Sequence, residues 1–181
     1  MPDKIEILAL SGSLRKNSSN TALLNAAAQL APAGITVRLC QGLGVLPLFN
    51  PDLEGVEPEP VLAFRRQLLT AHGVMIASPE YAHGVTGVIK NALDWVVGSG
   101  ELVDKPIALL NASGRATYSH AALTEILTVM NARLIPAASL TVPLANNAMD
   151  AQDILSIPGH VSIVNQALSA LADAITSPAA A

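Results

Sequence analysis

The sequence predicts a three-layer α/β sandwich in which a five-stranded parallel sheet carries helices on both faces. Short runs rich in Ile, Leu and Val alternate along the chain with longer stretches whose apolar residues recur at intervals of three and four. Strands that alternate with helices form parallel sheets, because each connection crosses the sheet and buries its helix on it. The length of 181 residues suits one core, so we expect a single domain over residues 1–181.

The composition excludes several classes of protein. Hydrophobic residues make up 51% of the chain and charged residues 13%, which is too apolar for a disordered chain. The net charge is −4 without a block of Lys and Arg, so we expect no nucleic-acid partner. Without a signal-peptide pattern or an apolar stretch of ~18 residues, we expect no membrane partner and a cytoplasmic location. The single cysteine, Cys40, cannot form an intrachain disulfide.

The first strand is predicted over residues 5–10, a compact apolar run that leads into a Ser-Gly-Ser turn. The helix after it should be capped by Asn20 or Thr21. In residues 35–39, apolar and polar side chains alternate with a period of two, which is typical of an edge strand with one face more exposed to solvent. Residues 42–60 contain four prolines and three glycines and are interpreted as a long connection.

The second half of the chain repeats the alternation of strands and helices. A helix marked by Val61 and Phe64 should end at Gly73, before a buried strand over residues 74–77. Apolar stripes predict three more helices, over residues 85–96, 123–130 and 161–175, with a strand over residues 106–110 between the first two.

The last strand has two candidates, residues 133–135 and residues 140–142, and the sequence does not decide between them. Residues 177–181 are expected to form a frayed tail. Five strand-helix units at this length favour the flavodoxin-like strand order 2-1-3-4-5. In such a sheet, ligands bind at the carboxyl ends of the strands where the order reverses, beside the first and third strands.

The loop over residues 11–21 concentrates hydroxyls, amides and two cations, Arg15 and Lys16, just before a helix start. Free backbone N–H groups and the helix dipole favour an anion there, so the loop predicts a phosphate-monoester site. The alternative is an ordinary polar loop in which Ser and Asn serve as caps. The loop is neither a Walker A motif nor a Gly-x-Gly-x-x-Gly turn.

The segment Pro79-Glu80-Tyr81 follows the third strand and can hold a flat heteroaromatic ring through main-chain hydrogen bonds and the tyrosine. The alternative is a turn whose tyrosine covers the edge of the core. His83 can polarise a substrate or cap the next helix. No carboxylate or cysteine stands at ligand spacing from His83, so no metal is expected.

Three motifs in combination resemble the NADPH-dependent FMN reductase family of flavodoxin-like proteins, which includes quinone, azo-dye and chromate reductases. They are Ser-Gly-Ser-Leu-Arg-x-x-Ser-x-Asn at residues 11–20, Ser-Pro-Glu-Tyr at residues 78–81 and Gly-x-x-Lys-Asn-Ala-Leu-Asp-Trp at residues 87–95. The resemblance spans roughly residues 5–142. It implies an NAD(P)H-dependent oxidoreductase in which a hydride passes through FMN to a small-molecule acceptor, and a homodimer or homotetramer.

The resemblance also implies which residues contact FMN, and it names no catalytic side chain because the flavin does the chemistry. The implied residues form three groups: the phosphate loop with Ser13, Arg15, Ser18, Asn20 and Thr21; the ring loop with Pro79, Glu80 and Tyr81; and the turn after the fourth strand with Ser113, Gly114 and Arg115.

The chain departs from the family pattern at Ala82, where the family commonly has Asn, and in its bulkier turn over residues 113–118. Trp95 is interpreted either as part of a subunit contact or as a core residue. The alternative function is a flavodoxin-like electron carrier or flavin-binding module without a site for NAD(P)H. A tyrosine phosphatase would need a cysteine in the first loop, and Cys40 is not there. The sequence leaves the acceptor and the choice between NADPH and NADH open.

Overall fold

The structure is a computed structural model that describes residues 4–177. Five parallel strands form one sheet in the order β2-β1-β3-β4-β5: β1 (Ile5–Ser11), β2 (Ile35–Leu39), β3 (Gly73–Ala77), β4 (Pro106–Leu110) and β5 (Arg133–Leu134). The helices of this region are α1 (Ser19–Leu30), α2 (Glu59–Thr70), α3 (Gly87–Val97), α4 (Tyr118–Val129), α5 (Ala151–Leu155) and α6 (Pro158–Thr176). The predicted sheet and its strand order are confirmed.

Alternating side chains of the central strand β1 divide the core into two layers. Ile7 and Ala9 belong to the layer formed with α1 and α6, whereas Leu8 and Leu10 belong to the layer formed with α2, α3 and α4. Strands β3 and β4 are buried at every residue, as strands covered by helices on both faces must be. Helices therefore lie on both faces of the sheet, as predicted.

Two predicted helix boundaries are wrong. Helix α1 is capped by Ser18 rather than by Asn20 or Thr21, because the Ser18 hydroxyl accepts the N–H of Thr21 at 3.4 Å. Helix α2 ends at Thr70, and Gly73 is the first residue of β3 rather than a helix stop. A Cβ atom on Gly73 would lie 2.7 Å from Cδ1 of Ile175, so glycine allows α6 to pack closely on the sheet.

Both candidates for the last strand contribute. Residues 133 and 134 form β5, and Thr141 forms a separate parallel bridge with Asn111 beyond the end of β4. The sequence analysis missed the short helix α5, whose start is fixed by a capping box between Asp150 and Asp153. Of the predicted tail, Ser177 caps α6, and residues 178–181 lie outside the described residues.

The long connection over residues 42–60 is fastened to α3. The Asn91 amide and the Trp95 indole N–H both donate to the carbonyl of Pro47, at 2.9 and 2.8 Å, and Asn91 also accepts the N–H of Phe49. The Phe49 and Trp95 rings meet edge to face at 5.2 Å between centroids. The Trp95 side chain is therefore buried by residues of its own chain.

Within residues 4–177, no helix combines the length and the apolar character that crossing a membrane requires.

Burial raises the pKa of the Cys40 thiol from 9.0 to about 12, although the charge of Arg38 opposes the shift. At pH 8.5 the thiolate fraction should be on the order of a thousandfold smaller than that of an unperturbed cysteine. We therefore expect iodoacetamide to alkylate Cys40 more slowly by a similar factor, with a rate that rises with pH up to the raised pKa. Mass spectrometry follows the reaction, and denatured protein is the control. A native rate equal to the denatured one would contradict this prediction.

Candidate functional site

The site lies where β1 and β3 end side by side, at the point where the strand order reverses. The N–H of Gly12 donates to the carbonyl of Ala77 at 2.8 Å, which carries the pairing one residue past β1. A Cβ atom on Gly12 would lie 2.2 Å from Oγ of Ser78. Only glycine permits this approach, and it brings the loops after the two strands to one place.

The loop between β1 and α1 is held by hydroxyl groups that accept backbone N–H groups. Ser11 Oγ accepts from Ser13 and Ser13 Oγ accepts from Arg15, both at 3.3 Å. The Thr21 hydroxyl bonds Ser11 Oγ at 2.7 Å. Because Ser13 and Ser18 both use their oxygen as an acceptor, their hydroxyl hydrogens stay available to an external acceptor such as a phosphate oxygen.

Asn20 stands on the first turn of α1 and is 7% exposed. Its Oδ1 atom is buried and has no hydrogen-bond partner among residues 4–177. Leaving a buried polar atom unpaired costs about 1–3 kcal/mol, so such an atom in a cavity wall indicates a place for a ligand group.

A cavity of about 300 Å³ opens beside Asn20, and we call it the switch-point cavity. Its walls come from the start of α1, the loop after β3, the turn after β4 and the segment before α5. They comprise Ser19, Asn20, Ser78, Pro79, Glu80, Asn111, Ala112, Ser113, Arg115, Ala116, Leu144, Ala145, Asn146 and Asn147. The cavity brings together the predicted residues Asn20, Pro79, Glu80, Ser113 and Arg115.

The remaining predicted residues do not line this cavity. Ser18 and Thr21 line a neighbouring cavity of about 290 Å³ that reaches to Asp150. Ser13, Arg15, Tyr81 and Gly114 line neither cavity, so their prediction rests on the motifs alone. Of the five residues predicted for the phosphate loop, Asn20 lines the switch-point cavity, and Ser18 and Thr21 line the cavity beside it.

The sequence analysis missed Asn111 and the pair Asn146 and Asn147. The Asn111 amide donates to the carbonyl of Ala116 at 3.1 Å, and its Oδ1 accepts the N–H of Ser113 at 3.0 Å, so it shapes the turn after β4. Each of the three follows a segment of the sheet, which is where ligand-binding residues of parallel sheets lie. That rule, applied to the end of the fourth strand, would have found Asn111. Asn146 and Asn147 follow the segment around Thr141, which pairs beside β4.

Glu80 has a role that the motif did not suggest. Its Oε2 atom accepts the N–H of Ser119 at 2.9 Å, on the first turn of α4. Thr117, at the N-cap position of α4, makes no capping hydrogen bond with its side chain. A carboxylate from the loop after β3 therefore caps α4, where the helix dipole favours negative charge.

The loop after β3 turns sharply at Ala82 and His83. Tyr81 and Gly84 exchange two backbone hydrogen bonds, and the two residues between them have φ angles of +49° and +57°. Positive φ at both central residues is the type I′ turn, which favours Asn and Gly. The His83 ring stacks on Tyr118 with 4.3 Å between centroids, which joins the loop to α4 a second time.

The charges around the site are mostly unpaired. Across residues 4–177, the ion pairs involve Arg65, Arg66 and Lys90, and neither Arg15, Lys16 nor Arg115 belongs to one. Unpaired cations near a helix start favour an anionic ligand. No cluster of three His, Cys, Asp or Glu side chains suited to a metal ion occurs in the described part of the chain.

The sheet, its strand order and the cavity at its switch point define a flavodoxin-like protein. The family model for NADPH-dependent FMN reductase matches residues 5–147, and the chain belongs to that family. An NAD(P)H-dependent FMN reductase of Pseudomonas aeruginosa is 36% identical over 94% of this chain and 95% of its own length. An NADPH:quinone oxidoreductase of Arabidopsis thaliana is 42% identical over 61% of this chain and 59% of its own.

Solved structures share the fold. An NAD(P)H:acceptor oxidoreductase of Paracoccus denitrificans superimposes with a TM-score of 0.72, at 24% identity over 93% of this chain and 98% of that chain. An archaeal flavodoxin superimposes with a TM-score of 0.60, at 10% identity over 96% of this chain and 100% of that chain. With the family established, the predictions of the flavodoxin-like fold, of an enzyme and of an NAD(P)H-dependent flavin oxidoreductase with FMN are confirmed. The electron-carrier alternative has less support.

We expect Ala82→Gly to stabilise the protein, because an alanine held at φ of +49° is strained. Relief of this strain should add about 0.5–1 kcal/mol to the free energy of unfolding, which raises Tm by about 1–4 °C. Thermal unfolding followed by circular dichroism measures the change. Ala121→Gly, on the exposed side of α4, is the matched control and should lower Tm. A lower Tm for Ala82→Gly would show that the turn is not strained.

Proposed function

We propose that the protein binds FMN in the switch-point cavity and uses NAD(P)H to reduce quinones and free flavins through it. The observation that carries this proposal is the unpartnered Oδ1 of Asn20 in the wall of a cavity that Pro79 and Glu80 also line. Bound FMN would supply the redox chemistry, since it accepts a hydride from NAD(P)H and passes electrons to an acceptor. The quinone acceptor is supported by relatives named quinone reductase, which match over 60% of this chain.

The start of α1 would hold the phosphate of FMN. Ser13 and Ser18 offer hydroxyl hydrogens, and Asn20, on the first turn of α1, offers the N–H groups of its side chain. Arg15, without a carboxylate partner among residues 4–177, would add a charge-assisted bond. Thr21 would act through its bond to Ser11, which holds the loop in shape.

The loop after β3 and the turn after β4 would hold the flavin ring between them. Pro79 and Glu80, after β3, line the cavity, and so do Ser113 and Arg115, after β4. The Tyr81 side chain is 59% exposed, so its ring is free to cover the flavin. Gly114 leaves space beside the turn, because a Cβ atom there would meet nothing within 4 Å.

In this proposal the residues of the chain bind, orient and shield rather than donate or accept protons. The polar walls would fix the direction of the flavin in the cavity. The nicotinamide and the acceptor would use the same open face in turn. We therefore assign no catalytic side chain.

We also propose that the protein is a single FMN-binding domain, cytoplasmic, and a homodimer or homotetramer. Large apolar side chains stand exposed, among them Leu14, Val45 and Leu48, at 62%, 69% and 83% exposure. A second copy covering such side chains supports the oligomer. The unpaired thiol of Cys40 suits a reducing compartment.

The double variant Arg15→Ala, Ser18→Ala should weaken FMN more than riboflavin, because only FMN carries a phosphate. We expect the Kd of FMN to rise roughly tenfold or more, the equivalent of about 1.4 kcal/mol, with riboflavin changed less than about threefold. Quenching of flavin fluorescence measures both. Arg66→Ala with Ser162→Ala removes the same groups elsewhere and should change neither Kd. Equal losses for the two flavins would refute the phosphate assignment.

The proposed activity is tested anaerobically. FMN is added to the purified protein, binding is followed by fluorescence, and NADPH or NADH is then added while the flavin absorbance is recorded. We expect rapid bleaching that depends on the protein, and recovery of the absorbance on addition of a benzoquinone. Binding without bleaching by either nucleotide would instead support the electron carrier.

A further inference from the structure

Among the described residues that line the switch-point cavity, Arg115 and Glu80 are the charged ones. No ion pair within residues 4–177 includes either of them. The Glu80 carboxylate accepts the N–H of Ser119 at 2.9 Å, where the positive end of α4 offsets its charge. The guanidinium of Arg115, which is always protonated, is therefore the charge in these walls that no carboxylate of residues 4–177 balances.

The turn after β4 fixes the backbone of Arg115. Ser113 Oγ accepts the N–H of Arg115 at 3.3 Å, and the carbonyl of Ser113 accepts the N–H of Ala116 at 3.1 Å. Asn111 ties this turn to the end of β4, because its side chain bonds both Ser113 and Ala116. The residue itself is exposed. A cation on a fixed backbone is thus available to a ligand that enters the cavity.

The phosphate of FMN has other partners in the proposed function. It would lie at the start of α1, with the hydroxyls of Ser13 and Ser18 and the guanidinium of Arg15. The turn after β4 would lie beside the flavin ring, which is neutral in oxidised FMN. Arg115 therefore stands beside the part of the oxidised ligand that has no charge to balance it.

Reduction changes the charge of the ring but not that of the phosphate. NAD(P)H transfers a hydride, which amounts to one proton and two electrons, so the donor leaves as NAD(P)⁺ and the neutral ring becomes an anion. A guanidinium beside the ring attracts this anion more strongly than it attracts the neutral ring. Charge beside the ring is one of the ways in which a protein tunes a flavin.

We propose that Arg115 stabilises the negative charge that the hydride brings to the flavin ring, and thereby raises the reduction potential of bound FMN. The inference rests on the proposed function, since it requires FMN in the switch-point cavity. It gives Arg115 a task beyond contact with the ring, because its charge distinguishes the reduced ligand from the oxidised one. A higher potential makes hydride transfer from NAD(P)H more favourable.

The test uses Arg115→Gln, which keeps a polar side chain but removes the charge. Quenching of flavin fluorescence gives the Kd of oxidised FMN, and anaerobic equilibration with a reference dye gives the potential of bound FMN. We expect the ratio of the Kd of reduced FMN to that of oxidised FMN to rise about tenfold, which lowers the potential by about 30 mV. Arg115→Lys, which keeps the charge, should restore most of this difference.

Arg15→Ala is the matched control, because it removes a cation that is proposed to face the phosphate. The phosphate has the same charge in both redox states, so the Kd values of oxidised and reduced FMN should rise together. The potential should then stay within about 10 mV of the wild-type value, which corresponds to a twofold change in the ratio. Riboflavin bound to Arg115→Gln should show the same lowered potential as FMN, because the two ligands share the ring.

Two results would overturn the inference in a wild-type protein that binds FMN. One is a potential of Arg115→Gln within about 10 mV of the wild-type value. The other is a rise of about tenfold or more in the Kd of oxidised FMN, which would assign Arg115 to holding the oxidised ligand. Failure of the wild-type protein to bind oxidised FMN would overturn the proposed function itself, so the two kinds of failure are distinguishable.

Discussion

The close approach of two backbones at the ends of β1 and β3 determines where this protein has its site. Gly12 continues the pairing with Ala77 and leaves no room for a side chain against Ser78. Because helices leave the two strands on opposite faces of the sheet, the loops separate at this point and a cavity remains between them. The start of α1, the loop after β3 and the turn after β4 all depend on this contact for their relative positions.

Electrostatics then distinguishes the two ends of the cavity. The α1 end combines the free N–H groups of a helix start with the hydroxyl hydrogens of Ser13 and Ser18, which suits a phosphate. In contrast, the start of α4 already has a negative charge, because the carboxylate of Glu80 accepts the N–H of Ser119. This difference in charge supports the proposed placement of the FMN phosphate at the start of α1.

The sequence predicted the strand order because the alternation of apolar runs is strong and the crossover rule leaves few topologies. Asn20, Pro79 and Glu80, which the resemblance implies as FMN contacts, lie in loops after strand ends, and all three line the cavity. Asn111 also follows a predicted strand and was overlooked, whereas the position of Asn146 depends on how the segment around Thr141 pairs beside β4. The cap of α4 joins Glu80 to Ser119, 39 positions further along the chain, and no local sequence pattern predicts such a contact. The sequence also did not identify Ser18 as the cap of α1, because Ser18, Asn20 and Thr21 are all polar residues with similar capping preferences.

The location of FMN is the central claim, and chemical-shift mapping tests it most directly. The ¹⁵N-labelled protein is titrated with oxidised FMN, and the backbone and side-chain amide shifts are compared with those produced by riboflavin. We predict that both flavins shift the amides of Glu80, Tyr81 and residues 113–115, and that FMN alone shifts those of residues 13–20, including the Asn20 side chain. Shifts confined to other parts of the chain, or equal effects of the two flavins on the α1 start, would contradict the account.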